Sequence, residues 1–440
     1  MRIPPSVPAL PNATDAVTEP GAIAAELDAG GQAILTRPPD AHADAVDGIL
    51  PRIVVEAESR AAVAATLQWA GQRSLSVVVR GSGTKSGWGA VPAPFDVLLD
   101  VSRVNRVLDH RAGDLTVSVE AGARLGDVNE LLRQRGQWLA LDPPFAEAAT
   151  IGGLLATNDS GPQRHRFGTP RDLVIGIEIA TMDGQIAKAG GQVVKNVAGY
   201  DLSKIMSGSF GSLGVIVAAT FKLSPLPAAS TTVLVPHLDS DATVRVVEAI
   251  AASQLEPVAF ELDLRAPRGG TPEIACLLHF ASVAAAVEAE TANASGRVAT
   301  VHPAFRVLTG DKERDLWLAH GRRPWEEPGI IVRASWLPGN VAELLSVVRA
   351  LSADASIEVT GRLGTGAGLF RIDARREAQA DVVARMRASV VFGNVVVLRA
   401  PAELKSREWV WGSPAGASIT AALKRELDPG GLLGAGRGPL

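Results

Sequence analysis

The segment 77–89, VVVRGSGTKSGWG, joins a short β-branched run to a loop with four glycines in nine residues. A glycine that becomes fixed in a fold costs about 0.5–1 kcal/mol more than alanine, because it loses more backbone freedom. A chain keeps such a loop where bare backbone N–H groups approach a ligand closely, and phosphate is a common ligand of this kind. The segment therefore predicts either an anion-binding loop at 81–89 or a tight glycine-rich hairpin without a ligand.

Two common phosphate-binding motifs do not fit this loop. A P-loop has glycine directly before Lys-Ser, whereas Thr84 precedes Lys85 here, and the dinucleotide-binding fingerprint needs a third glycine where Ser86 stands. Both motifs also open a helix, but the chain continues as AVPAPF at 90–95, whose prolines exclude a helix interior. Since residues 96–101 have the pattern of a strand, we expect the loop to join one strand to another.

Composition limits the class of protein. A chain of 440 residues is expected to form two or three domains, and a net charge of −4 argues against a nucleic-acid binder. Cys276 is the only cysteine, which excludes a disulfide framework, a four-cysteine zinc site and an iron–sulfur cluster held by this chain alone. No apolar run reaches 18 residues, and residues 1–20 lack the apolar stretch of a signal peptide. We therefore expect a cytoplasmic protein without direct membrane insertion.

The pattern of elements changes along the chain. Up to about residue 225, predicted strands and helices alternate, with Ser59 placed as the N-cap of a helix at 60–72. Residues 230–400 instead indicate a β-α-β-β-α-β order used twice, with an antiparallel sheet. In this second region we predict a strand at 298–301. Arg322-Arg323, beside Trp325, could bind an acid or a partner, but a solvated turn is favoured.

Two further glycine-rich blocks and a C-terminal pattern accompany the first loop. The second block, 149–161, reads ATIGGLLATNDSG, and its Gly-Gly pair is predicted to open a short apolar helix. The third, 195–204, reads KNVAGYDLSK and continues through further glycines into a strand at 215–223. The chain then ends with a helix at 413–427 and the pattern LKRELDPGGLLGAGR at 423–437.

Together, the order and spacing of these blocks resemble the FAD-binding oxidase family with the vanillyl-alcohol-oxidase (PCMH-type) fold. The motifs PP at 143–144, GP at 161–162, RD at 171–172 and KNVAGYDL at 195–202 are most similar to the second FAD-binding subunit of bacterial glycolate oxidases. The resemblance implies an α+β protein with a PCMH-type FAD-binding domain of two α/β subdomains and a cap of ferredoxin-like repeats with an antiparallel sheet. The implied boundaries are an N-terminal extension at 1–48, the FAD domain at 49–228, the cap at 229–412 and a tail at 413–440 that returns to the FAD domain.

The resemblance also implies roles for individual residues. The FAD pyrophosphate would lie on Arg80, Gly81, Ser82, Gly83, Thr84 and Lys85. The flavin and its ribityl chain would lie along Thr150, Gly152, Gly153, Asn158 and Gly161, with Pro143 at the flavin or the diphosphate. The adenine would lie near Ile177, Glu178 and Val215, and Arg437 would bring the tail back to the FAD domain.

Two departures from the family pattern concern the chemistry. Some members tether the flavin through a histidine in the first loop or a cysteine in the second, but no histidine lies between His42 and His110, and Cys276 is remote. We therefore expect non-covalent FAD. The family's 2-hydroxy-acid dehydrogenases carry a His- and Asp-containing stretch in the cap that supplies metal ligands and a base, whereas residues 361–370 read GRLGTGAGLF here. We therefore predict no metal site and leave the catalytic base unknown.

Three residues are candidates for the missing base or for substrate binding, and each has an ordinary structural alternative. His165 could face the flavin ring or be a solvated loop histidine. Lys195 could bind a substrate carboxylate or the flavin, or it could lie at the surface. Tyr200, the only tyrosine, could line the flavin site or pack against the helix that follows it.

The expected function is that of an FAD-binding subunit in a glycolate-oxidase-like complex, which passes electrons from a 2-hydroxy acid to a partner. A second flavin subunit and an iron–sulfur subunit are the implied partners, and the complex could meet the inner membrane through them. Two alternatives remain open: a self-sufficient FAD-dependent alcohol or hydroxy-acid oxidoreductase, and a flavin-free scaffold subunit.

Overall fold

The computed structural model describes residues 34–191, 201–413 and 416–439. The N-terminal part begins with a four-stranded sheet in the order β1-β2-β4-β3. Its elements are β1 (Ile34–Arg37), β2 (Ile53–Ala57), α1 (Arg60–Gln72), β3 (Val77–Arg80) and β4 (Val97–Asp100). Ser59 caps α1 as predicted, because its Oγ accepts a hydrogen bond from the Ala62 N–H at 3.0 Å.

The glycine-rich loop leaves β3 and enters β4, and these two strands are parallel. Val77 pairs with Val97, and Arg80 pairs with Asp100. A tight hairpin joins antiparallel strands, whereas neighbouring parallel strands need a longer crossover. The hairpin alternative for residues 81–89 is therefore wrong, and the expected connection from strand to strand is confirmed.

A second sheet of five antiparallel strands follows in the order β5-β6-β10-β8-β9. The elements from here to the end of this part are β5 (Val107–Arg111), β6 (Thr116–Glu120), α2 (Leu125–Arg133), β7 (Gln137–Trp138), α3 (Ile151–Thr157), α4 (Arg164–Phe167), α5 (Pro170–Leu173), β8 (Val174–Ala180), β9 (Ile186–Gly190), α6 (Leu202–Met206), β10 (Val215–Lys222) and β11 (Ser224–Pro225). The two-residue strands β7 and β11 pair with each other. β8 and β9 form a hairpin, and Gly184 in its turn has φ +81°.

The C-terminal part is built on an eight-stranded antiparallel sheet, here called the large sheet, in the order β15-β12-β14-β13-β17-β18-β16-β19. Its elements are β12 (Ala229–Leu238), α7 (Ser240–Ala251), β13 (Ala259–Ala266), β14 (Glu273–Ser282), α8 (Ala284–Val301), β15 (Arg306–Leu308), α9 (Gly310–Glu326), β16 (Ile330–Trp336), α10 (Val341–Leu351), β17 (Ala355–Arg362), β18 (Ala367–Ala374), α11 (Gln379–Ala388) and β19 (Phe392–Arg399). The two β-α-β-β-α-β units expected from the sequence meet through β13 and β17, and α9 connects them.

Two predictions in this part are wrong. Residues 298–301 form the end of α8 rather than a strand, because Ala294 and Val298 continue the buried stripe of that helix at helical spacing. Arg322 and Arg323 lie within α9 rather than in a solvated turn, and the Arg323 side chain is only 14% exposed where it pairs with Asp263.

The two faces of the large sheet differ in chemistry. Alternate residues such as Leu262, Val332 and Phe370 form one apolar core with α7, α8, α10 and α11. The other face carries polar and charged side chains, including Glu261 and Arg362, and α9 and the N-terminal part lie against it. The joint between the two parts of the molecule therefore combines charged side chains with an apolar cluster, in which Trp88 and Ala90 pack with Ile331 and Leu369.

After the large sheet, the chain forms α12 (Arg407–Trp411) and α13 (Ala417–Leu427). The tail that follows lies beside β3, where the Val77 N–H donates to the Leu432 carbonyl at 2.8 Å. Asp428 holds the turn by accepting hydrogen bonds from the N–H groups of Leu432 and Leu433. The final residues thereby reach the glycine-rich loop.

Candidate functional site

The loop at 81–89 is pressed against the start of α3. A Cβ atom on Gly81 would lie 2.3 Å from Thr150 Oγ1, so only glycine fits there without displacing that side chain. Gly83 and Gly89 have φ of +78° and +86°, a region that glycine adopts at little cost. The glycines therefore serve a close approach and a backbone conformation that other residues would not tolerate.

The start of α3 also exposes backbone rather than side chains. Thr150 is its N-cap, and its Oγ1 accepts from the Gly153 N–H at 3.4 Å. The Gly152 N–H donates to the Ala121 carbonyl at 2.7 Å, and a Cβ on Gly152 would lie 2.9 Å from the Ala121 Cβ. Backbone therefore forms the wall of the space that faces the loop.

Two buried cations hold the far half of the loop through its carbonyl oxygens. The Arg437 guanidinium donates to the carbonyls of Ser86 and Trp88, and Lys405 Nζ donates to the Gly87 carbonyl at 2.8 Å while pairing with Asp47. Burial lowers the pKa of Arg437 to about 10 and also lowers the pKa of Lys405. Both cations come from the C-terminal quarter of the sequence, so the loop depends on long-range contacts.

One cleft brings together most of the predicted cofactor residues. It lies between the loop, α3 and residues 210–216. The predicted residues in its lining are Arg80, Gly81, Ser82, Gly83, Thr84, Lys85, Thr150, Gly152, Gly153, Val215 and Arg437. The lining also includes Phe210, Gly211 and Gly214, which the sequence analysis did not select although the glycine block at 208–214 was visible. Arg80 is engaged by Asp44 at 2.9 Å and Asp100 at 2.8 Å, so it braces the start of the loop.

The other predicted cofactor residues lie outside the lining of this cleft. Ile177 and Glu178 line a separate groove on the five-stranded sheet, where Glu178 pairs with Arg60. Asn158 ends α3 with φ +45° and accepts from the Arg171 N–H through its side chain. Gly161 and Pro143 are the remaining two predicted residues. A Cβ on Gly161 would lie 1.9 Å from the Asp142 carbonyl oxygen, and Pro143 lines a third cavity.

Of the three catalytic candidates, Lys195 and Tyr200 lie outside the described residues. His165 lies in α4, at the joint between the two parts, and its ring packs against Gly364 in the turn between β17 and β18. Burial lowers the pKa of His165, and its Nδ1 atom has no hydrogen-bond partner within the described part of the chain. The structure thus places an imidazole with an unpartnered Nδ1 atom at this joint.

The sequence analysis missed a buried ionic network under α9. His320 Nε2 lies 3.1 Å from Glu261 Oε2, and Arg323 pairs with Asp263. Burial acts to lower the pKa of His320, but its hydrogen bonds to Asp263 and Glu261 raise it overall. The helical spacing of Glu313, Trp317 and His320 was the available signal, and it needed the location of α9 to be interpreted.

A cavity of about 800 Å³ lies between the loop at 142–148 and α9. Phe145, which has φ +60°, packs edge-on against Trp325 in its wall. Burial lowers the pKa of His279 to about 4 and raises that of Asp142 to about 7. The cavity has the mixed aromatic and polar walls that small-molecule sites commonly have.

Searches for two other features apply to the described residues only. Within 34–191, 201–413 and 416–439, no group of three or more His, Cys, Asp or Glu side chains is arranged to hold a metal ion. No helix in the same ranges combines the length and apolar character needed to cross a membrane.

Comparison with known proteins identifies the domain that forms the cleft. The FAD binding domain family matches residues 51–190. Glycolate oxidase subunit GlcD of Bacillus subtilis (strain 168) is 31% identical over 212 residues, or 48% of this chain and 45% of that protein. Glycolate oxidase subunit GlcE of Escherichia coli (strain K12) is 38% identical over 155 residues, or 35% of this chain and 44% of that protein. The matched stretch thus spans less than half the length of each of these relatives.

The fold has solved counterparts over a longer stretch. The structure of a chitooligosaccharide oxidase superposes with a TM-score of 0.65 at 16% identity, covering 95% of this chain and 98% of that one. At this identity the likeness concerns the fold alone, and it confirms the α+β architecture expected from the sequence. Residues 51–190 thus match the FAD binding domain family, and the chain has the fold of this oxidase structure.

Proposed function

We propose that this chain binds FAD non-covalently and acts as a flavin subunit of a glycolate-oxidase-like complex that oxidises a 2-hydroxy acid. The observation that carries the proposal is the cleft in which the loop at 81–85, the start of α3 and Arg437 face one another. The relatives named as glycolate oxidase subunits support the reaction class and the complex.

The residues of the cleft fit the cofactor. A dinucleotide diphosphate is bound well by backbone N–H groups, and each hydrogen bond to a charged group is worth about 1.5–3 kcal/mol. The close approach of Gly81 to Thr150 is consistent with such a backbone cradle. Neither histidine nor cysteine occurs among the residues that line the described cleft, which supports a flavin held without a covalent bond.

The chemistry would be divided between this chain and its partners. When bound, the flavin supplies a two-electron acceptor that can release electrons one at a time. With Cys276 as its only cysteine, the chain cannot hold an iron–sulfur relay, so we propose that an iron–sulfur subunit receives the electrons and that a second flavin subunit completes the complex. A cytoplasmic position, with the inner membrane reached through partners, belongs to the same proposal.

The test begins with the chain purified alone. We expect visible flavin absorbance, complete release of FAD into the supernatant on acid precipitation, and negligible oxidation of glycolate or D-lactate with a dye acceptor. Adding the partner subunits should then give turnover. A colourless protein that does not bind added FAD would contradict the cofactor and favour the flavin-free scaffold.

A second candidate is a self-sufficient oxidoreductase, which the position of His165 favours. A general base needs a free nitrogen within reach of the substrate hydroxyl, and His165 Nδ1 is unpartnered at the joint between the two parts. In this case the chain alone would turn over a hydroxy acid or alcohol. His165→Gln would then lower kcat by about 10²-fold or more with FAD still bound, whereas Gly339→Ala, with no heavy atom within 4 Å of the added Cβ, would not.

A further inference from the structure

Three cations converge where the end of α3 meets the charged face of the large sheet. Lys85 comes from the glycine-rich loop, Arg333 from β16 and Arg362 from the end of β17. The side chains of Lys85 and Arg362 are 7% and 6% exposed, respectively. Arg333 is partly buried, and its pKa is lowered by burial and by the charge of Arg362 against the opposing charge of Asp159.

The contacts of these three cations are long. Lys85 Nζ is 3.4 Å from Asp159 Oδ2 and has no hydrogen-bond partner among the described residues. Arg333 donates to the Thr157 carbonyl at 3.4 Å, and Arg362 donates to the Ser160 carbonyl at 3.3 Å. Strong N–H···O bonds to charged groups are usually 2.7–2.9 Å long, so the hydrogen-bonding capacity of these cations is largely unused.

Two other largely buried arginines, Arg371 on the large sheet and Arg323 on α9, each make a shorter contact with a carboxylate. Arg371 lies 2.6 Å from Glu358, and Arg323 lies 2.5 Å from Asp263. The contacts that the three cations make at the end of α3 are therefore longer than the shortest ion pairs of these two arginines.

The acids that face the cluster do not balance its charge. Asp159 is the carboxylate nearest to Lys85, and Glu261 lies 3.7 Å from Arg362 but also contacts His320. Arg164 adds a further positive charge close to the cluster. Its pKa is lowered first by burial and then by the neighbouring charges of Arg362 and Arg333. Burial also raises the pKa of Asp142 to about 7, so that carboxyl is only partly ionised near neutral pH.

We propose that Arg333 and Arg362, next to Lys85 of the glycine-rich loop, form a binding site for the carboxylate of a small organic acid, which would tie the N-terminal part to the large sheet. The planar guanidinium groups match a carboxylate in two-point geometry, and one negative charge offsets part of the positive surplus. The proposal rests on the proposed function only for the identity of the acid: a 2-hydroxy acid would present its carboxylate here.

The experiment separates binding of the acid from turnover and from the cofactor. The probe is 2-hydroxyisobutyrate, which has no α-hydrogen to lose, and its uncharged counterpart is 2-hydroxyisobutyramide. Binding to the purified full chain is measured by calorimetry at fixed ionic strength and by tryptophan fluorescence. Fluorescence is suitable because Lys85 Nζ lies 5.5 Å from the centre of the Trp88 ring, which stacks on Trp325.

We expect saturable binding of the acid and none of the amide. Arg333→Met should weaken acid binding at least tenfold, and Arg333→Lys, which keeps the charge but loses the planar group, at least threefold. Arg376→Met is the matched control, because that side chain is 78% exposed and remote from the cluster. FAD content, read from flavin absorbance, should be the same in all variants.

Several results would overturn the proposal. These are equal binding of the acid and the amide, tighter binding of inorganic phosphate than of the acid, no binding of the acid, or wild-type affinity in either Arg333 variant that folds. A chain that lacks FAD but binds the acid through Arg333 would contradict the proposed function and leave this site standing. A chain that carries FAD but does not bind the acid would contradict this site and leave the proposed cofactor standing.

Discussion

Gly81 shows how a single residue can decide whether the cleft forms. Its position relative to Thr150 leaves no room for a methyl group, since the added Cβ would lie 2.3 Å from the hydroxyl oxygen. Gly87, in the same loop, has nothing closer than an Asp47 oxygen at 4.0 Å. The two glycines therefore separate the effect of close approach from the general effect of replacing a loop glycine.

The first prediction uses this pair. Gly81→Ala should displace Thr150 and weaken FAD binding by at least tenfold, or about 1.4 kcal/mol, whereas Gly87→Ala should bind FAD as the wild type does. The measurement is a titration of the cofactor-depleted protein with FAD. Equal affinity in the two variants would mean that the contact with Thr150 does not shape the site.

Asp142 gives a prediction about pH. Burial raises its pKa from 3.8 to about 7, against the hydrogen bond from the Gln163 N–H and the charge of Arg362. Between these two pH values the folded protein therefore binds more protons than the unfolded chain, so this residue makes the free energy of unfolding fall as pH rises. The stabilising contribution of Asp142 to the free energy of unfolding is fully present below pH 3.8 and is lost by about pH 7.

Asp142→Asn should remove this dependence. The stability of the variant relative to the wild type should rise from about pH 4 to pH 7, with a slope of at most about 1.4 kcal/mol per pH unit. His279, whose pKa burial lowers to about 4, acts in the opposite direction but equally in both proteins. Denaturant unfolding at several pH values tests this, and parallel stability curves would show that Asp142 is ionised throughout.

The C-terminal tail is an element whose role depends on its last arginine. The tail adds backbone pairing beside β3 and places Arg437 against the carbonyls of Ser86 and Trp88. These contacts hold the far half of the glycine-rich loop while its first half faces the cleft. A substitution in the tail should therefore alter the affinity for the cofactor.

Arg437→Met should weaken FAD binding by about 1.5–3 kcal/mol, the usual value of hydrogen bonds to a charged group. The two loop carbonyls would lose their donor, and the loop would be free to move. Arg425→Met, an exposed change on α13, is the control. If both variants titrate with FAD like the wild type, the tail is not needed to hold the loop.

Helix α9 is a charged helix whose position depends on the polar groups of the strand that it packs against. Its sequence is rich in charge, which is typical of a solvated segment, yet Glu313 and His320 are buried against the large sheet. Glu313 accepts hydrogen bonds from Ser230 and Thr232, so the polar face of this helix is matched by hydroxyl groups on β12. The helix is therefore stable where it lies because the facing strand satisfies its polar side chains.

For the molecule as a whole, the question is whether the two parts unfold together. Cys276 is a natural probe, because it is fully buried in the large sheet and burial raises its pKa to about 12. A thiol in this state reacts only after unfolding exposes it. FAD would bind to the other part, so an effect of FAD on thiol labelling reports on coupling between the two.

We expect FAD at 100 times its Kd to slow the labelling of Cys276 about 100-fold in mild denaturant, which corresponds to about 2.7 kcal/mol of added stability. The charged joint and the Trp88–Trp325 stack across it are the physical basis for this coupling. A labelling rate that FAD leaves unchanged would show that the large sheet opens independently of the cleft.

The glycine-rich loop, the second block and the C-terminal pattern could be found from the sequence because close backbone approach requires glycine locally. Gly81, Gly152 and Gly153 are examples, and the structure brings them to one cleft. Strand-like runs likewise predicted the strands of the large sheet except β15. At residues 298–301, the apolar residues that suggested a strand instead continue the buried stripe of α8.

The amino-acid sequence by itself determined the fold class and the loop that faces the cleft, and it indicated a resemblance to FAD-binding oxidases, because these follow from local patterns of glycine and hydrophobic residues. Only the tertiary structure decided that β3 and β4 are parallel, that α9 covers the charged face, and that Lys85, Arg333 and Arg362 meet. The physical reason is that burial and charge pairing depend on which residues come together across hundreds of positions, and no local pattern encodes this.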